Sequence, residues 1–426
     1  MMWNSFGFYA DLYDTNPITG NDQGERLLVG RAAELRKVKT RISNRSSVTS
    51  IEGNNGVGKT SVVLVAAHQL DRETSQSGKD SLLCLPKLFQ IASDEDATEF
   101  KRKVYASVAT LFIDREKELL RRMDLQFALG PLRAWLENPV FRQGGASMAS
   151  FGGNLGSQPN SASGFDLQGF FNIIDRLLDA AFSDKGAVIC VLDNLEILNT
   201  SATARDKLEA LRDDVFAAKG IRWVVCGARG IVRSVATSPR LQGRIIEPLE
   251  IEPLDDDCIA DLISARVEEY RAGPQSIPPV GVRSFEYIYS ILNSNLRDAL
   301  KYAGDFSLWL EDEGNYVPNG DELHGLFEAW VADLSDRYES ALNVPPRAWQ
   351  LFDDFCGRGG SISPSAFEEF GFNSSQSMRG AVSRLENGDL VVSEIDETDN
   401  RRKTINVTAK GWLIHHRRAG YVDRGG

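Results

Sequence analysis

Cysteine and histidine are scarce in this 426-residue chain, with five and four copies, and that scarcity excludes two common frameworks. Cys84, Cys190, Cys226, Cys258 and Cys356 are scattered without a CxxC pair, and two of them stand inside apolar runs that read as buried strands. They are expected as reduced core residues, neither a disulfide scaffold nor a metal cluster. Two of the four histidines are adjacent, His415 and His416, so no zinc set of usual spacing can be assembled. Any metal should therefore arrive with a nucleotide. Long apolar runs are missing as well. No stretch approaches the roughly 20 consecutive apolar residues of a membrane span, and Met1 to Asp11 lacks the basic start and apolar core of a secretory signal. A cytoplasmic location without membrane contact is the expectation. Positive charge is not in excess either: the net charge of −12 argues against broad adhesion to nucleic acid, so any DNA contact must be local.

What is present is ordinary globular composition, 42% hydrophobic and 25% charged, over a length that supports two or three separately cored domains. Residues 1–26 are polar and aromatic without period and form an N-terminal strap. Helical spacing follows from Ala32 to Ile42, Thr60 to Leu70, Ala97 to Arg122, Leu167 to Phe182 and Ala204 to Ala218. Between these lie strand candidates at Ser47 to Glu52, Ser81 to Ile91, Ala187 to Leu192 and Trp223 to Cys226. Alternation of this kind predicts an α/β fold with a parallel sheet flanked by helices. Gly144 to Gly164 is almost wholly Gly, Ser, Asn, Ala and Phe, and it is expected as a hairpin or mobile insertion. Leu254 to Tyr270, Phe285 to Leu292, Leu296 to Leu310 and Leu323 to Leu342 predict an all-helical lid. The run Asn343-Val344-Pro345-Pro346 then reads as a hinge. The expected domains are a nucleotide-binding domain over 1–250, a lid over 251–342 and a C-terminal module over 343–426.

One motif carries most of the chemistry. Gly53-Asn54-Asn55-Gly56-Val57-Gly58-Lys59-Thr60 fits G-x-x-x-x-G-K-[ST], and it sits after a strand and before a helix as that motif requires. Glycines let successive N–H groups turn toward phosphate oxygens, and the following helix, continuing with Ser61, directs its positive end there. Lys59 supplies a point charge and Thr60 a hydroxyl for Mg²⁺. A second acidic strand, Val188 to Leu192, ends at Asp193, the expected metal-side carboxylate of an ATP site. Asn194 and Glu196 follow. Two readings stay open here: Glu196 is the base that orients water, or turnover is slow and the nucleotide acts as a switch.

Leu28-Val29-Gly30-Arg31 with Glu34-Leu35 resembles the VGR-x-x-E-L box that lines the adenine pocket of AAA+ ATPases related to origin-recognition initiators and to STAND signalling ATPases. The resemblance spans roughly residues 25–310. In many AAA+ relatives a glutamate stands where this chain has Asn194. Trp223-Val224-Val225-Cys226-Gly227-Ala228-Arg229 resembles the sensor strand, which implies that Arg229 reads the γ-phosphate. Arg240 stands near the place of an arginine finger aimed at a neighbouring subunit, which implies a homo-oligomer. Asn295-Leu296-Arg297-Asp298-Ala299-Leu300 resembles the second-sensor helix, with Arg297 closing over the phosphates.

At the C-terminal end, helical segments at Pro346 to Phe355, Pro364 to Phe370 and Ser375 to Glu386 precede two strand candidates, Leu390 to Ile395 and Lys403 to Val407. Three helices and a hairpin give the winged helix-turn-helix layout, and Asp396 to Gly411 resembles the wing of MarR-type regulators. Arg379, Arg384, Arg401 and Arg402 match the DNA-contacting positions. Glu368, Glu369, Glu386 and Asp389 balance them, so DNA contact and protein docking both remain open. The chain is thus expected to bind ATP or ADP with Mg²⁺, as a switch or assembly ATPase or as a DNA-binding loader or regulator. By family analogy it is a subunit of a bacterial defence or mobile-element complex.

Overall fold

The computed structural model describes residues 2–44, 48–137, 141–142, 157–158, 167–198, 201–314, 320–396 and 402–424. Continuous apolar strands dictate a sheet covered on both faces. It consists of β1 (Thr49–Glu52), β2 (Leu82–Phe89), β3 (Ala187–Leu192), β4 (Ile221–Gly227) and β5 (Leu249–Glu250), all parallel, in the order β2-β3-β4-β1-β5. In β3 every residue is buried, and alternation splits them. Val188, Cys190 and Leu192 join one core while Ala187, Ile189 and Val191 join the other. The first core lies beneath helices Ala97–Asp114, Leu167–Ala181 and Ser201–Leu211, and the second beneath Ala32–Ser43 and Lys59–Glu73. The expected α/β fold class is therefore what the chain adopts. Because β4 pairs with β1 on one side and β3 on the other, the carboxyl ends of all three strands open on the same edge, where ligands of open α/β sheets bind.

Three elements depart from the sequence pattern. The helical stretch Ala97 to Arg122 is broken at Arg115, whose backbone leaves helical geometry while its guanidinium reaches the buried Asp71 at 2.6 Å. Pro364–Phe370 is a 3-10 segment instead of an α-helix, with a kink at Ala366. The strap, grouped in sequence with the sheet domain, instead packs into the lid. Trp3, Phe6, Phe8, Leu12 and Tyr13 share a core with Phe285, Ile288 and Phe306, and the buried Tyr13 hydroxyl donates to Val280 O at 2.7 Å. Local periodicity cannot report such a long-range contact. The Gly144 to Gly164 insertion lies outside the described residues except for Ser157–Gln158, which pairs antiparallel with Phe141–Arg142.

The lid consists of helices Ile259–Tyr270, Val282–Ile291, Leu296–Asp312 and Gly320–Ser340. Beyond it, helices Pro346–Gly357 and Ser375–Asn387 pack with a three-stranded antiparallel sheet. Its strands are β6 (Ser361–Ile362), β7 (Val391–Asp396) and β8 (Arg402–Val407), in the order β6-β8-β7. A core of Leu351, Phe352, Phe355, Met378, Leu385 and Ile414 holds these elements together. The terminal helix Ala409–Arg424 has no counterpart among the sequence expectations, and it ties the module to the lid. Its Leu413 joins the lid core, Arg417 pairs with Asp336 and Arg418 with Glu339, both at 2.7 Å. Among the described residues, no helix is long and apolar enough to cross a membrane.

Candidate functional site

Immediately after the buried Glu52 of β1 the chain turns through Gly53 to Gly58 and enters the helix Lys59–Glu73. Gly56 (φ +88°) and Gly58 (φ +95°) occupy the left-handed region that glycine adopts without strain. Among the described residues, no protein group accepts a hydrogen bond from the amides of Gly58, Lys59 and Thr60, and no side chain caps the helix. Open amides at a helix N-terminus, with the helix dipole behind them, form an anion cradle. Lys59 is 7% exposed, and its Nζ donates to Gly53 O at 2.9 Å and Asn54 O at 3.1 Å. Burial lowers its pKa from the ordinary lysine value, opposed by the charges of Glu196 and Asp193. A buried ammonium bonded only to carbonyls is one that a bound anion would stabilise.

The structure brings the distant acid to this loop. Asp193, at the end of β3 and 4% exposed, accepts from Thr60 Oγ1 at 2.8 Å. A carboxylate and a hydroxyl side by side at the mouth of a phosphate cradle are the hard oxygen donors that a small divalent cation takes. Thr60 and Asp193 therefore fit Mg²⁺. Asn194 next to them has φ +60°, a left-handed conformation in which asparagine is enriched and most other side chains are strained. Two residues on, the 3-10 turn Leu195–Leu198 carries Glu196 to the wall of the cleft, and Ala228 N donates to its Oε2 at 3.2 Å.

The lid closes the cleft from the other side. Asn295 caps the helix Leu296–Asp312 by accepting from Asp298 N at 3.2 Å, and its Nδ2 donates to Asn55 O at 3.3 Å. A Cβ on Gly56 would stand 2.3 Å from Asn295 Oδ1, so the loop glycine also makes room for the lid. Arg297 lines the cleft. Val29 lines it too, and Gly30 (φ +74°) permits a close approach in which a Cβ would lie 2.6 Å from Leu254 Cδ1. Arg31, 5% exposed, pairs with Glu34 at 2.9 Å and donates through Nη2 to Val57 O at 3.0 Å. The 28–35 box is thereby pinned to the phosphate loop.

Other expected residues stand elsewhere. Arg229 does not line the cleft; Glu250, at the end of β5, and Glu252 pair with its half-exposed guanidinium. Arg240 is 73% exposed outside the cleft and reaches Glu209 at 3.3 Å. Arg379 and Arg384 are exposed on the helix Ser375–Asn387, opposite its buried Met378, Val382 and Leu385. Arg401 lies outside the described residues, and Arg402 begins β8. Sequence reasoning missed the strap residues Thr15 to Ile18 and Arg266, all of which line the cleft. The strap's Ile18 N donates to Ser61 Oγ at 3.0 Å. No local motif marks these positions; the buried Arg266 on an otherwise apolar helix face was the one available signal.

No family model matches the chain, and no curated protein matches it. Solved structures similar to it include the ORC2 protein of Aeropyrum pernix in ADPNP–ADP complexes, at 13% identity and a TM-score of 0.45, covering 97% of this chain and 99% of that one. The ORC1 protein of the same organism in complex with DNA gives 15%, 0.43, 94% and 95% on the same measures. The Walker-type ATPase of Pyrococcus abyssi gives 14%, 0.45, 95% and 99%.

Proposed function

We propose that the chain binds ATP with Mg²⁺ in this cleft and works as a slowly hydrolysing switch or assembly ATPase. The observation that carries the reading is the 2.8 Å contact between Thr60 Oγ1 and Asp193 Oδ2, beside the buried Lys59. Backbone amides after Gly56 and the Lys59 ammonium bind the phosphate chain, and Thr60 and Asp193 hold the cation. When bound, Mg²⁺ neutralises phosphate charge. Glu196, held by Ala228 N, is the base that takes a proton from water. Arg297 and Asn295 stand at the start of the lid helix Leu296–Asp312, so an added triphosphate charge draws that helix inward. The C-terminal module is bonded to the lid through Arg417, Arg418 and Leu413, and it moves with it. A partner protein or a second copy would read the new position, with Arg240 the surface arginine to reach a neighbour's nucleotide. The test is binding of a fluorescent ATP analogue in Mg²⁺. Lys59→Ala should abolish it, and unchanged affinity in that variant would overturn the reading.

A second reading makes the C-terminal module, taken as a winged helix, a DNA contact. It is favoured by the exposed Arg379 and Arg384 on one helix. Duplex binding that weakens with salt and is lost in Arg379→Glu with Arg384→Glu would support it. Absence of binding at low salt would remove it.

A further inference from the structure

The cleft holds a charge that the phosphate chemistry does not use. Arg266, on the lid helix Ile259–Tyr270, is 5% exposed and lines the cleft together with Thr15, Asn16, Pro17 and Ile18 of the strap. A buried guanidinium is ordinarily matched by a carboxylate. Arg266 forms no ion pair among the described residues; Nη1 donates to the backbone carbonyls of Leu12 at 2.8 Å and Asp14 at 3.4 Å. Nε is buried without an acceptor, and Nη2 donates to nothing among the described residues. Asp11 and Asp14 act on it only through space, and burial pulls its pKa down. Arginine offers five N–H donors and stays charged, so the unused donors need an acceptor from outside the chain. The same cleft is lined by the apolar side chains of Pro17, Ile18, Val29, Leu254 and Leu262.

Apolar walls beside unused arginine donors fit a flat heterocycle that carries acceptors on its edge. We propose that Arg266 reads the base of the bound nucleotide, donating to a ring nitrogen of a purine that packs against Val29, Leu254 and Leu262. This rests on the nucleotide reading above. Arg266 is then a specificity-determining residue, and its bonds to Leu12 and Asp14 keep the guanidinium aimed at the base while the strap covers it. Pyrimidine nucleotides leave the donors unmatched, because the smaller ring cannot both pack on the apolar wall and reach across to them.

Competition against a fluorescent ATP analogue tests this on the unaltered protein. ATP, CTP, UTP, the 1-, 3- and 7-deaza analogues of ATP, and inorganic tripolyphosphate serve as competitors. One deaza analogue should bind about 10-fold or more weakly than ATP, the loss expected when a buried charged donor is left without its acceptor. CTP and UTP should be weaker by a similar factor. In Arg266→Met that deaza penalty should disappear while tripolyphosphate binds as before, which a merely structural arginine would not produce. Arg266→Lys keeps a donor and should retain part of the penalty if the methionine variant does not fold. Equal affinity for ATP and all three deaza analogues overturns the assignment and leaves the phosphate grip standing. Failure of tripolyphosphate and every nucleotide to bind overturns both.

Discussion

The two ends of the cleft are built in opposite ways. The phosphate end comes from one contiguous run, Gly53 to Ser61, plus a single distant strand end at Asp193, and backbone amides do much of the work. The base end is assembled from the strap near residues 15–18, the turn at Val29 and Gly30, and lid residues Leu254, Leu262 and Arg266. A contiguous run keeps its geometry when the rest of the chain shifts. An end made from separate segments holds its shape only while strap, sheet and lid stay together, so it is where closure can be sensed. Phosphate-end changes should therefore alter chemistry and gross affinity, and base-end changes should alter selectivity and coupling.

The largest effect is expected at Glu196. Glutamine keeps the length and an oxygen for the Ala228 amide, so Glu196→Gln removes basicity with little disturbance of the turn. Steady-state phosphate release should fall by roughly 10²–10⁴-fold while ATP affinity stays level, as for loss of a positioned base. Unchanged turnover would move the base to another group and weaken the division between the two ends.

Next comes the seam between them. Gly56→Ala must place a non-glycine residue at φ +88°, which costs about 1–2 kcal/mol, and its Cβ would meet Asn295 Oδ1 at 2.3 Å. Gly58→Ala carries a similar backbone cost at φ +95°, but nothing lies within 4 Å of its Cβ. Urea unfolding of the nucleotide-free protein should therefore rank Gly56→Ala clearly below Gly58→Ala. Equal losses would mean that the lid does not press on the loop.

Legibility in the sequence follows the same division. Gly53 to Thr60 and the acid after Val188 to Leu192 could be read because spacing along the chain and apolar runs encode them directly. The sheet could be read for the same reason. Glu196 stood in the sequence as one of two readings, and the left-handed backbone of Asn194 beside it is a property of the turn and not of any pattern. The pairing of Arg229 with Glu250 and Glu252 was hidden because β5, which carries Glu250, stands on the far side of β1 from β4, an order that no local window contains. The strap's lid packing could not be read because its partners lie roughly 250 residues away, as in the contacts of Leu12 with Arg266 and Tyr13 with Val280.

The smallest effect tests the joint between the two ends. Ser61 is 8% exposed in the first turn of the phosphate-loop helix, and its hydroxyl oxygen receives the Ile18 N–H of the strap at 3.0 Å. Ser61→Ala leaves the helix amides in place and strips the strap amide of its acceptor, a loss of about 1–3 kcal/mol if that amide stays buried and less if the strap swings toward water. Because a strap loosened in this way guards only the base, tripolyphosphate affinity should hold while ATP affinity drops several-fold. Displacement titrations with the two competitors on one protein preparation measure the difference directly. A parallel drop in both would show that the strap supports the phosphate cradle itself, and the two ends would then have to be treated as one unit.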